Sequence, residues 1–266
     1  MSEEEMPGRR SPSPALTRAA AILALLAEKP KQAFGPSELS RLVGVPKSTV
    51  LNLCGAMVEE GLLRRGPSGY QLGNRLAELG NAYLKSVVEV EEFYDLCQSV
   101  YPTAPHTVQL GVLGDGLTVV YLARHDGQVP LNLGLASEIG RSVPASCTAN
   151  GKALLAGLDR QQLEALLPAD GVLETLTSRS VATVADLRRE LDETRARRYA
   201  EEAGEIVPGL HCFGVAVRTP RRADELIAIS FTFPDSATPQ HPAEAGHELR
   251  GFAESFAERI GGKVAY

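Results

Sequence analysis

Residues 34–72 read FGPSELSRLVGVPKSTVLNLCGAMVEEGLLRRGPSGYQL, and this stretch decides the fold of the N-terminal part of the chain. Its apolar residues recur at helical spacing on both sides of Gly44, a pattern typical of two helices joined by a tight turn. After Gly61 the residues alternate around a Gly-Pro-Ser-Gly turn, which predicts a two-stranded hairpin. The sequence therefore predicts helix, turn, helix and hairpin, which is the order of a winged helix-turn-helix.

The second helix of this pair carries the candidate nucleic-acid contacts. We expect the first helix to open at Pro36 or Ser37 and Pro46 to occupy the first position of the second, where its missing N–H costs no hydrogen bond. The inward side of the second helix is predicted to hold Val50, Leu53, Cys54 and Met57. Its outward side holds Lys47, Ser48, Thr49 and Asn52. Because the first turns of such a helix meet base edges and phosphates, we predict that these four residues contact DNA.

Charge favours this interpretation over a plain helical hairpin packed in a larger core. Residues 9–86 carry eleven Lys or Arg and five Asp or Glu, a net charge of +6, whereas residues 87–266 carry sixteen and twenty-five, a net charge of −9. A basic module on an acidic body indicates phosphate contact by that module alone. Arg64 and Arg65 in the hairpin, and Arg18 on the polar side of a predicted helix at 16–28, complete the predicted DNA-contacting set.

Length and composition indicate a globular protein and argue against a membrane, secreted or metal-binding one. A length of 266 residues allows two domains, and the contents of 44% hydrophobic and 23% charged residues are those of a soluble globular protein. The apolar runs are too short to span a membrane, and the Ser/Pro-rich start lacks the order of a secretory signal, so we expect a cytoplasmic protein. The four cysteines form no CxxC pair and the five histidines show no zinc-site spacing. We therefore predict no metal and no other cofactor.

The C-terminal part of the chain alternates between strand-like and helical patterns. A linker helix is predicted over 72–84, with an apolar side that could pair with a second copy, and another helix over 87–100. Strands are predicted over 107–113, 117–124, 129–135, 205–219 and 226–234. Helices are predicted over 148–158, 161–167, 184–199 and 242–260. Helices between antiparallel strand pairs indicate an α+β sensor-type domain.

Several sequence blocks, in the right order, resemble the IclR family of bacterial transcriptional regulators. They are LTRA at 16–19, VPKSTV at 45–50, EEGL at 59–62, YQLG at 70–73, TANGKALLA at 148–156, YAEE at 199–202 and ISFT at 229–232. The resemblance covers nearly the whole chain after its first residues. One departure is Asn52, near a position where the family usually has a basic residue. Since Asn reads adenine through a bidentate contact, the difference changes the expected base preference and not the expectation of DNA binding.

The resemblance implies an α+β protein with an N-terminal winged helix-turn-helix, a linker helix and a C-terminal GAF-like antiparallel sheet with flanking helices. The expected boundaries are a disordered arm at 1–14, a DNA-binding domain at 15–73, linker and entry helices at 74–100, and an effector-binding domain at 101–266. It also implies a homodimer, often paired into a tetramer, on a pseudopalindromic operator in double-stranded DNA. Most members repress, and they respond to a small organic effector, frequently a carboxylate or an aromatic metabolite.

The resemblance also places the effector between the loop before Gly151, the strand of Cys212 and the strand of Ser230. Free N–H groups and the dipole at a helix start favour an anion, and Thr148 is a natural cap for that helix. The full predicted effector-binding set is Thr148, Ala149, Asn150, Gly151, Glu202, Cys212, Ser230 and Thr232. The alternatives are cross-strand pairing for the two hydroxyl residues at 230 and 232, and the role of a small buried hydrophobe for Cys212.

A different class of function is a sensor that does not bind DNA, or a hydrolase with a cysteine nucleophile. Cys147 would be the nucleophile, with His106, His125 or His211 as its base. A lone cysteine in a loop is usually structural, so we predict that the protein is not an enzyme. His211 and Cys212 are adjacent on a predicted strand, point to opposite faces and cannot both bind one metal.

Overall fold

The computed structural model describes residues 12–103, 106–127, 138–220, 225–239 and 241–266. The chain forms two compact units, an N-terminal unit, Met1–Tyr83, and a C-terminal unit, Leu84–Tyr266. The predicted strand over 129–135 lies outside the described residues, and so does nearly all of the predicted disordered arm at 1–14.

The N-terminal unit is a winged helix-turn-helix, as the sequence predicts. Its elements are α1 (Pro14–Glu28), α2 (Pro36–Val43), α3 (Lys47–Glu59), β1 (Leu63–Gly66) and β2 (Gly69–Leu72). Gly44 adopts the left-handed conformation, with φ of 64°, that the tight turn between α2 and α3 requires. The core is formed by Ile22, Leu26, Phe34, Leu39, Val50, Cys54, Met57, Leu63 and Tyr70, with Leu53 only partly buried.

The start of the second helix of the helix-turn-helix differs from the prediction. Pro46 is the N-cap of α3, and the helix begins at Lys47. The ψ of Pro46 is 140°, an extended value, because the chain must change direction after the turn before it can enter the helix. Lys47 therefore stands in the first helical turn, at the positive end of the helix dipole.

The wing is anchored to the chain between α1 and α2. β1 and β2 pair antiparallel from Leu63↔Leu72 to Gly66↔Gly69. The N–H of Phe34 donates to the carbonyl of Tyr70 at 3.0 Å, and the N–H of Tyr70 donates back at 2.9 Å. A Cβ at Gly69 would collide with the carbonyl of Phe34, so this close approach requires glycine.

Two helices follow the wing. α4 spans Arg75–Ser86 and α5 spans Val88–Val100. No residue of α4 is buried, and its Leu79 and Tyr83 side chains are 49% and 45% exposed.

Among the residues that the structure describes, the C-terminal unit is built on a seven-stranded antiparallel sheet. Its strands are β3 (Thr107–Leu113), β4 (Thr118–His125), β5 (Ser142–Pro144), β6 (Ala200–Ala203), β7 (Leu210–Arg218), β8 (Leu226–Pro234) and β9 (Lys263–Val264). They are ordered β5-β4-β3-β8-β7-β6, and β9 pairs with the far end of β7. The helices of this unit are α5, α6 (Ala149–Gly157), α7 (Arg160–Leu166), α8 (Val184–Arg197) and α9 (Pro242–Ile260). The α+β class is therefore confirmed.

The two faces of the sheet carry different side chains. On β8 the large residues Ile227, Ile229, Phe231 and Phe233 point to one face, where they form a core with residues of α5 and α9. The alternate residues Ala228, Ser230 and Thr232 are small and point to the other face. That small-residue face is where α6 approaches the sheet, and it leaves room for a cavity.

The predicted strands at 107–113 and 226–234 and the helix at 242–260 are confirmed to the residue. The predicted strand over 205–219 is wrong at its start, because residues 204–209 form a loop in which Gly204 and Gly209 have φ of 75° and 86°. The strand β7 begins only at Leu210. The helix predicted to reach residue 199 ends at Arg197, because Arg198 turns into the left-handed region with φ of 68°.

Candidate functional site

A cavity lies between the start of α6 and the small-residue face of the sheet. It encloses about 350 Å³ of empty space, counted to its opening. Its lining residues are Gln109, Tyr121, Thr148, Ala149, Asn150, Glu202, Ile206, Val207, Leu210, Cys212, Ser230 and Thr232. Only about 20 Å³ of this space can hold the centre of a water-sized sphere, so the cavity is tight.

The first turn of α6 forms one wall of the cavity because glycines allow its main chain to approach its neighbours. A Cβ at Gly214 on β7 would collide with the carbonyl of Ala149, and a Cβ at Gly151 would collide with the main chain of Ala145. Thr148 caps the helix, since its Oγ1 accepts the N–H of Gly151 at 2.9 Å. The other N–H groups of the first turn, those of Ala149 and Asn150, have no acceptor within the helix itself, and both residues line the cavity.

The floor of the cavity is set by strand register. Gln109 on β3 pairs with Ser230 on β8, and Ser230 pairs with Gly214 on β7. In the next row Thr232 pairs with Cys212, and Cys212 pairs with Glu202 on β6. Because these residues belong to two adjacent rows of one face, four strands contribute polar groups to the same cavity.

Glu202 joins the floor of the cavity to the loop above it, residues 204–209, which we call the pocket loop. Glu202 is 1% exposed, and its Oε1 accepts the N–H of Ile206 at 3.2 Å and also the N–H of Glu205. The pocket loop supplies Ile206 and Val207 to the lining. The carboxyl group of Glu202 therefore holds the loop in place from inside the cavity.

Burial raises the pKa of three groups in this cavity. It raises the pKa of Glu202, against the effect of hydrogen bonds from Cys212 and the pocket loop. It raises the pKa of the Cys212 thiol well above its ordinary value, and the neighbouring Glu202 adds to that shift. It also raises the pKa of Tyr121. The thiol and the phenol are therefore held in their neutral, hydrogen-bonding forms.

A buried lysine ties the helix of the cavity to its surroundings. Lys152 in α6 is 1% exposed, and its Nζ lies 2.5 Å from Glu205 Oε1 and 2.5 Å from Glu190 Oε2. Burial raises the pKa of Glu205 to about 7 although Lys152 opposes the shift. These contacts connect α6 to the pocket loop and to α8, so a movement of the loop would disturb both helices.

The N-terminal unit presents a separate polar surface. Lys47, Ser48 and Asn52 are exposed along α3, while Thr49 is partly buried. Arg64 and Arg65 are exposed on β1, and the guanidinium of Arg65 lies over the ring of Tyr70 at 5.8 Å. Arg18 is exposed on α1. An exposed second helix flanked by a cationic wing is the arrangement that meets a DNA groove and its phosphates.

Comparison with known proteins identifies the family. Residues 15–67 match the IclR helix-turn-helix domain, and residues 82–257 match the C-terminal domain of the bacterial transcriptional regulator IclR. The chain belongs to the IclR family. It is thus an IclR-type transcriptional regulator, with a helix-turn-helix DNA-binding domain and a C-terminal effector-binding domain.

Individual IclR-type proteins resemble the chain along most of its length. The regulator Rv1719 of Mycobacterium tuberculosis is 32% identical over 238 residues, which cover 88% of this chain and 87% of that protein. The crystal structure of the Agrobacterium tumefaciens repressor BlcR is 34% identical, with a TM-score of 0.58, over 94% of this chain and 98% of the other. An IclR homolog from Microbacterium hydrocarbonoxydans, solved in complex with 4-hydroxybenzoate, is 23% identical with a TM-score of 0.68. The match covers 92% of this chain and 99% of the homolog.

The structure of this IclR regulator brings most of the predicted effector-binding residues together. Seven of the eight line the cavity, and their contact with an effector stays a prediction. Gly151 is the exception, because it packs against the main chain of Ala145. Sequence reasoning missed five lining residues, which are Gln109, Tyr121, Ile206, Val207 and Leu210. The sequence signal for Gln109 was its period-two position on β3, which becomes informative only once the register with β8 is known.

The cysteine and histidines of the hydrolase hypothesis lie apart in this structure. Cys147 is buried, which raises its pKa, and its Sγ lies 3.5 Å from the carbonyl oxygen of Glu174. His106 packs among aromatic rings, His125 Nε2 lies 3.0 Å from the carbonyl oxygen of Tyr101, and His211 Nε2 lies 2.8 Å from Glu201 Oε1. A thiol with a raised pKa and hydroxyl or carbonyl neighbours is a poor nucleophile.

The remaining expectations concern metals and membranes. His211 stacks on Phe213 at 4.7 Å while Cys212 lines the cavity, so their predicted opposite orientation is confirmed. Within the described residues no group of three His, Cys, Asp or Glu side chains could hold a metal ion. None of the helices in the described part of the chain is long and apolar enough to cross a membrane.

Proposed function

We propose that this IclR regulator is a repressor that binds its operator as a homodimer and releases it when a small organic acid enters the cavity at α6. The observation that carries the proposal is the composition of that cavity. The start of a capped helix, the hydroxyl groups of Ser230 and Thr232, and two buried amide side chains converge on one enclosed space. The Thr232 hydroxyl donates to Gln109 Oε1, whereas Gln109 Nε2 and Asn150 Nδ2 are buried donors without an acceptor in the described part of the chain. Two such open donors beside a helix start suit an anionic ligand.

The class of effector follows from the charges that face the cavity. Lys152 is engaged with Glu190 and Glu205, so the positive potential at the cavity comes from the start of α6 and not from a free cation. Burial raises the pKa of Glu202, which favours its neutral carboxyl form and lowers the repulsion of a ligand carboxylate. The complex of the Microbacterium hydrocarbonoxydans homolog with 4-hydroxybenzoate agrees with an organic acid as the effector.

The DNA-contacting residues are proposed from exposure and charge. Lys47 and Ser48 stand in the first turn of α3, where they reach phosphates and base edges, and Asn52 stands one turn further along the same face. Asn52 is proposed to read adenine. Arg64, Arg65 and Arg18 are proposed to bind phosphates on either side, with Thr49 at the edge of the contact.

The oligomeric state is proposed from α4. Its exposed Leu79 and Tyr83 are four residues apart, so they form an apolar stripe on one side of a helix that has no buried residue in this chain. Pairing of two copies through this stripe and residues 16–28 would generate a two-fold dimer with two recognition helices. Such a dimer predicts a pseudopalindromic operator, and two dimers predict a tetramer.

The proposal is tested on the upstream region of the gene for this protein. Fluorescence anisotropy with overlapping duplexes is expected to find one pseudopalindromic site that binds at least about a hundredfold more tightly than a shuffled duplex. Addition of organic acids, one at a time, is expected to release that site. Equal binding to all duplexes and to heparin would show that the N-terminal surface does not recognise a specific operator. Operator binding that no acid changes would show that the cavity does not take an organic-acid effector.

The alternative of a cysteine-dependent hydrolase has its own test. Hydrolysis of a generic ester by the purified protein, measured with and without Cys147→Ala, is expected to stay at the level of buffer in both. Turnover that disappears in the variant would favour the alternative.

A further inference from the structure

Two amide side chains in the cavity have hydrogen-bonding atoms that no residue in the described part of the chain satisfies. Gln109 is 3% exposed and its Nε2 has no partner, and Asn150 is 1% exposed and neither its Nδ2 nor its Oδ1 has one. A buried polar atom without a partner costs roughly 1–3 kcal/mol, and native proteins satisfy nearly all such atoms. Both side chains line the same cavity, so the missing partner is expected to be a ligand.

The fold makes room for this amide pair. A Cβ at Gly111 would come within 3.2 Å of Asn150 Nδ2, so the absence of a side chain on Gly111 lets the Asn150 amide lie against β3. Gln109 stands two residues before Gly111 and therefore faces the same side of the sheet. Its Oε1 accepts the hydroxyl of Thr232 at 3.2 Å, and its Nε2 is the group left without a partner.

The free atoms define the chemistry that would satisfy them. Gln109 offers N–H donors only, whereas Asn150 offers donors and one acceptor. A carboxylate oxygen would accept from both amides and leave Asn150 Oδ1 without a donor, and an aliphatic or aromatic C–H group would satisfy neither amide. A hydroxyl group has one donor and two lone pairs, so it can donate to Asn150 Oδ1 while it accepts from Gln109 Nε2. Asn150 Nδ2 is then the one free atom left for a carboxylate oxygen of the same ligand.

We propose that Gln109 and Asn150 select an effector that carries a hydroxyl group in addition to its carboxylate, so that the ligand is a hydroxy acid. This inference rests on the proposed function, in which the cavity takes an organic acid. The carboxylate lies at the main-chain N–H groups of α6, and the hydroxyl group lies between the two amides. Asn150 is thus a specificity determinant through its side chain, while its main chain belongs to the anion site.

Pairs of acids that differ only in a hydroxyl group separate recognition of the hydroxyl group by the amides from recognition of the carboxylate by α6. Lactate with propionate and 4-hydroxybenzoate with benzoate are titrated into the full-length protein by calorimetry. At least one hydroxylated member is expected to bind about tenfold more tightly than its partner, the value of one satisfied hydrogen bond. Asn150→Ala keeps the main-chain N–H and is expected to reduce this preference to less than about threefold, and Gln109→Met is expected to do the same.

A control variant and a stability measurement complete the test. Val207→Ala alters the apolar lining and is expected to change both members of a pair equally. Asn150→Ala without ligand is expected to melt no lower than the parent, because it removes an unsatisfied amide. Equal affinities within both pairs, equal loss of both members in Asn150→Ala, or a melting temperature lower by more than about 4 °C would overturn the role of the amide pair. Binding of no acid at all would overturn the proposed function, and the amide pair with it.

Discussion

Lys47 is the single cation of α3, and its place in the first helical turn makes it the sharpest residue-scale test of DNA contact. Lys47→Ala is expected to weaken binding to every duplex by a similar factor, because a phosphate contact carries no base information. Because both copies of Lys47 contact the operator in the proposed dimer, the slope of log affinity against log salt concentration is expected to become shallower by about 1.8, the value of two lost phosphate contacts. Anisotropy titrations from low to moderate salt, on operator and shuffled duplexes, measure both quantities.

The control for this prediction is Lys85→Ala. Lys85 is exposed in the last turn of α4, outside the proposed contact set, so its removal is expected to leave the slope unchanged. A salt slope that Lys47→Ala does not alter, or that both variants lower equally, would exclude Lys47 from the DNA contacts.

The burial of the His106 ring leads us to expect that the stability of the C-terminal unit depends on pH. Its ring is 2% exposed, packs 4.0 Å from Phe231, and has no hydrogen-bond partner among the described residues. Burial first, and the nearby His125 second, lower the pKa of His106 to about 4 from its ordinary 6.5. The polar groups that the structure describes beside this ring are Tyr101, whose hydroxyl donates to Glu248, and His125.

The lowered pKa of His106 means that the free energy of unfolding decreases as the pH falls. Above pH 6.5 the ring is neutral in both the folded and unfolded states, and the full stability is present. As pH falls from 6.5 to about 4 the unfolded state takes up a proton that the folded state excludes, so about 3 kcal/mol of stability is lost. Urea titrations across this range are expected to show the loss in the parent and in His241→Ala, whose histidine is exposed, and a smaller loss in His106→Leu. The same loss of stability in all three proteins would show that His106 is not the group responsible for it.

At the scale of the element, α4 decides whether the protein can present two recognition helices. The stripe of Leu79 and Tyr83 leaves large apolar side chains in water, which is costly for a helix without a partner. Leu79→Glu is expected to convert the proposed dimer to a monomer and to weaken operator binding by at least about tenfold, because one half-site then binds alone. Light scattering after gel filtration reports the mass, and anisotropy reports the affinity.

Asn81→Glu is the matched control for that helix. Asn81 is exposed and lies two residues from Leu79, on the opposite side of α4, so the added charge is expected to leave the dimer intact. A Leu79→Glu protein with the parent mass would show that α4 does not form the interface.

At the scale of the whole molecule, the proposed repression is a coupling between two binding events. If an effector lowers operator affinity by a given factor, the operator must lower effector affinity by the same factor. Calorimetry of the effector with and without saturating operator is expected to give the factor that anisotropy gives in the reverse experiment. Lys152 and its two carboxylates connect the cavity to α8, so Glu190→Gln is expected to change this factor more than it changes either affinity alone. A factor of one in both experiments would mean that the effector does not control operator binding.

Local patterns were enough to predict the larger elements. The helix at 242–260 and the strands at 107–113 and 226–234 are each at least seven residues long, so their residue patterns can be recognised within one local window. The helix-turn-helix was predictable for the same reason, since Gly44 and the apolar spacing around it are local features. The short strands β5, β6 and β9 span two to four residues, and their pairing partners are distant in sequence. No local window contains the information that makes them strands.

By itself, the sequence determined the order of the elements, the family of the protein and the separation of a basic module from an acidic one, because each depends on residues that are near one another in the chain. Only the tertiary structure decided which polar groups share a cavity. Gln109, Asn150 and Glu202 come from different elements, and they meet because strand register and the glycines at 111 and 214 bring the sheet and α6 together. Burial then leaves the amides of Gln109 and Asn150 without partners, and burial is a property of the packed chain and not of any residue in it.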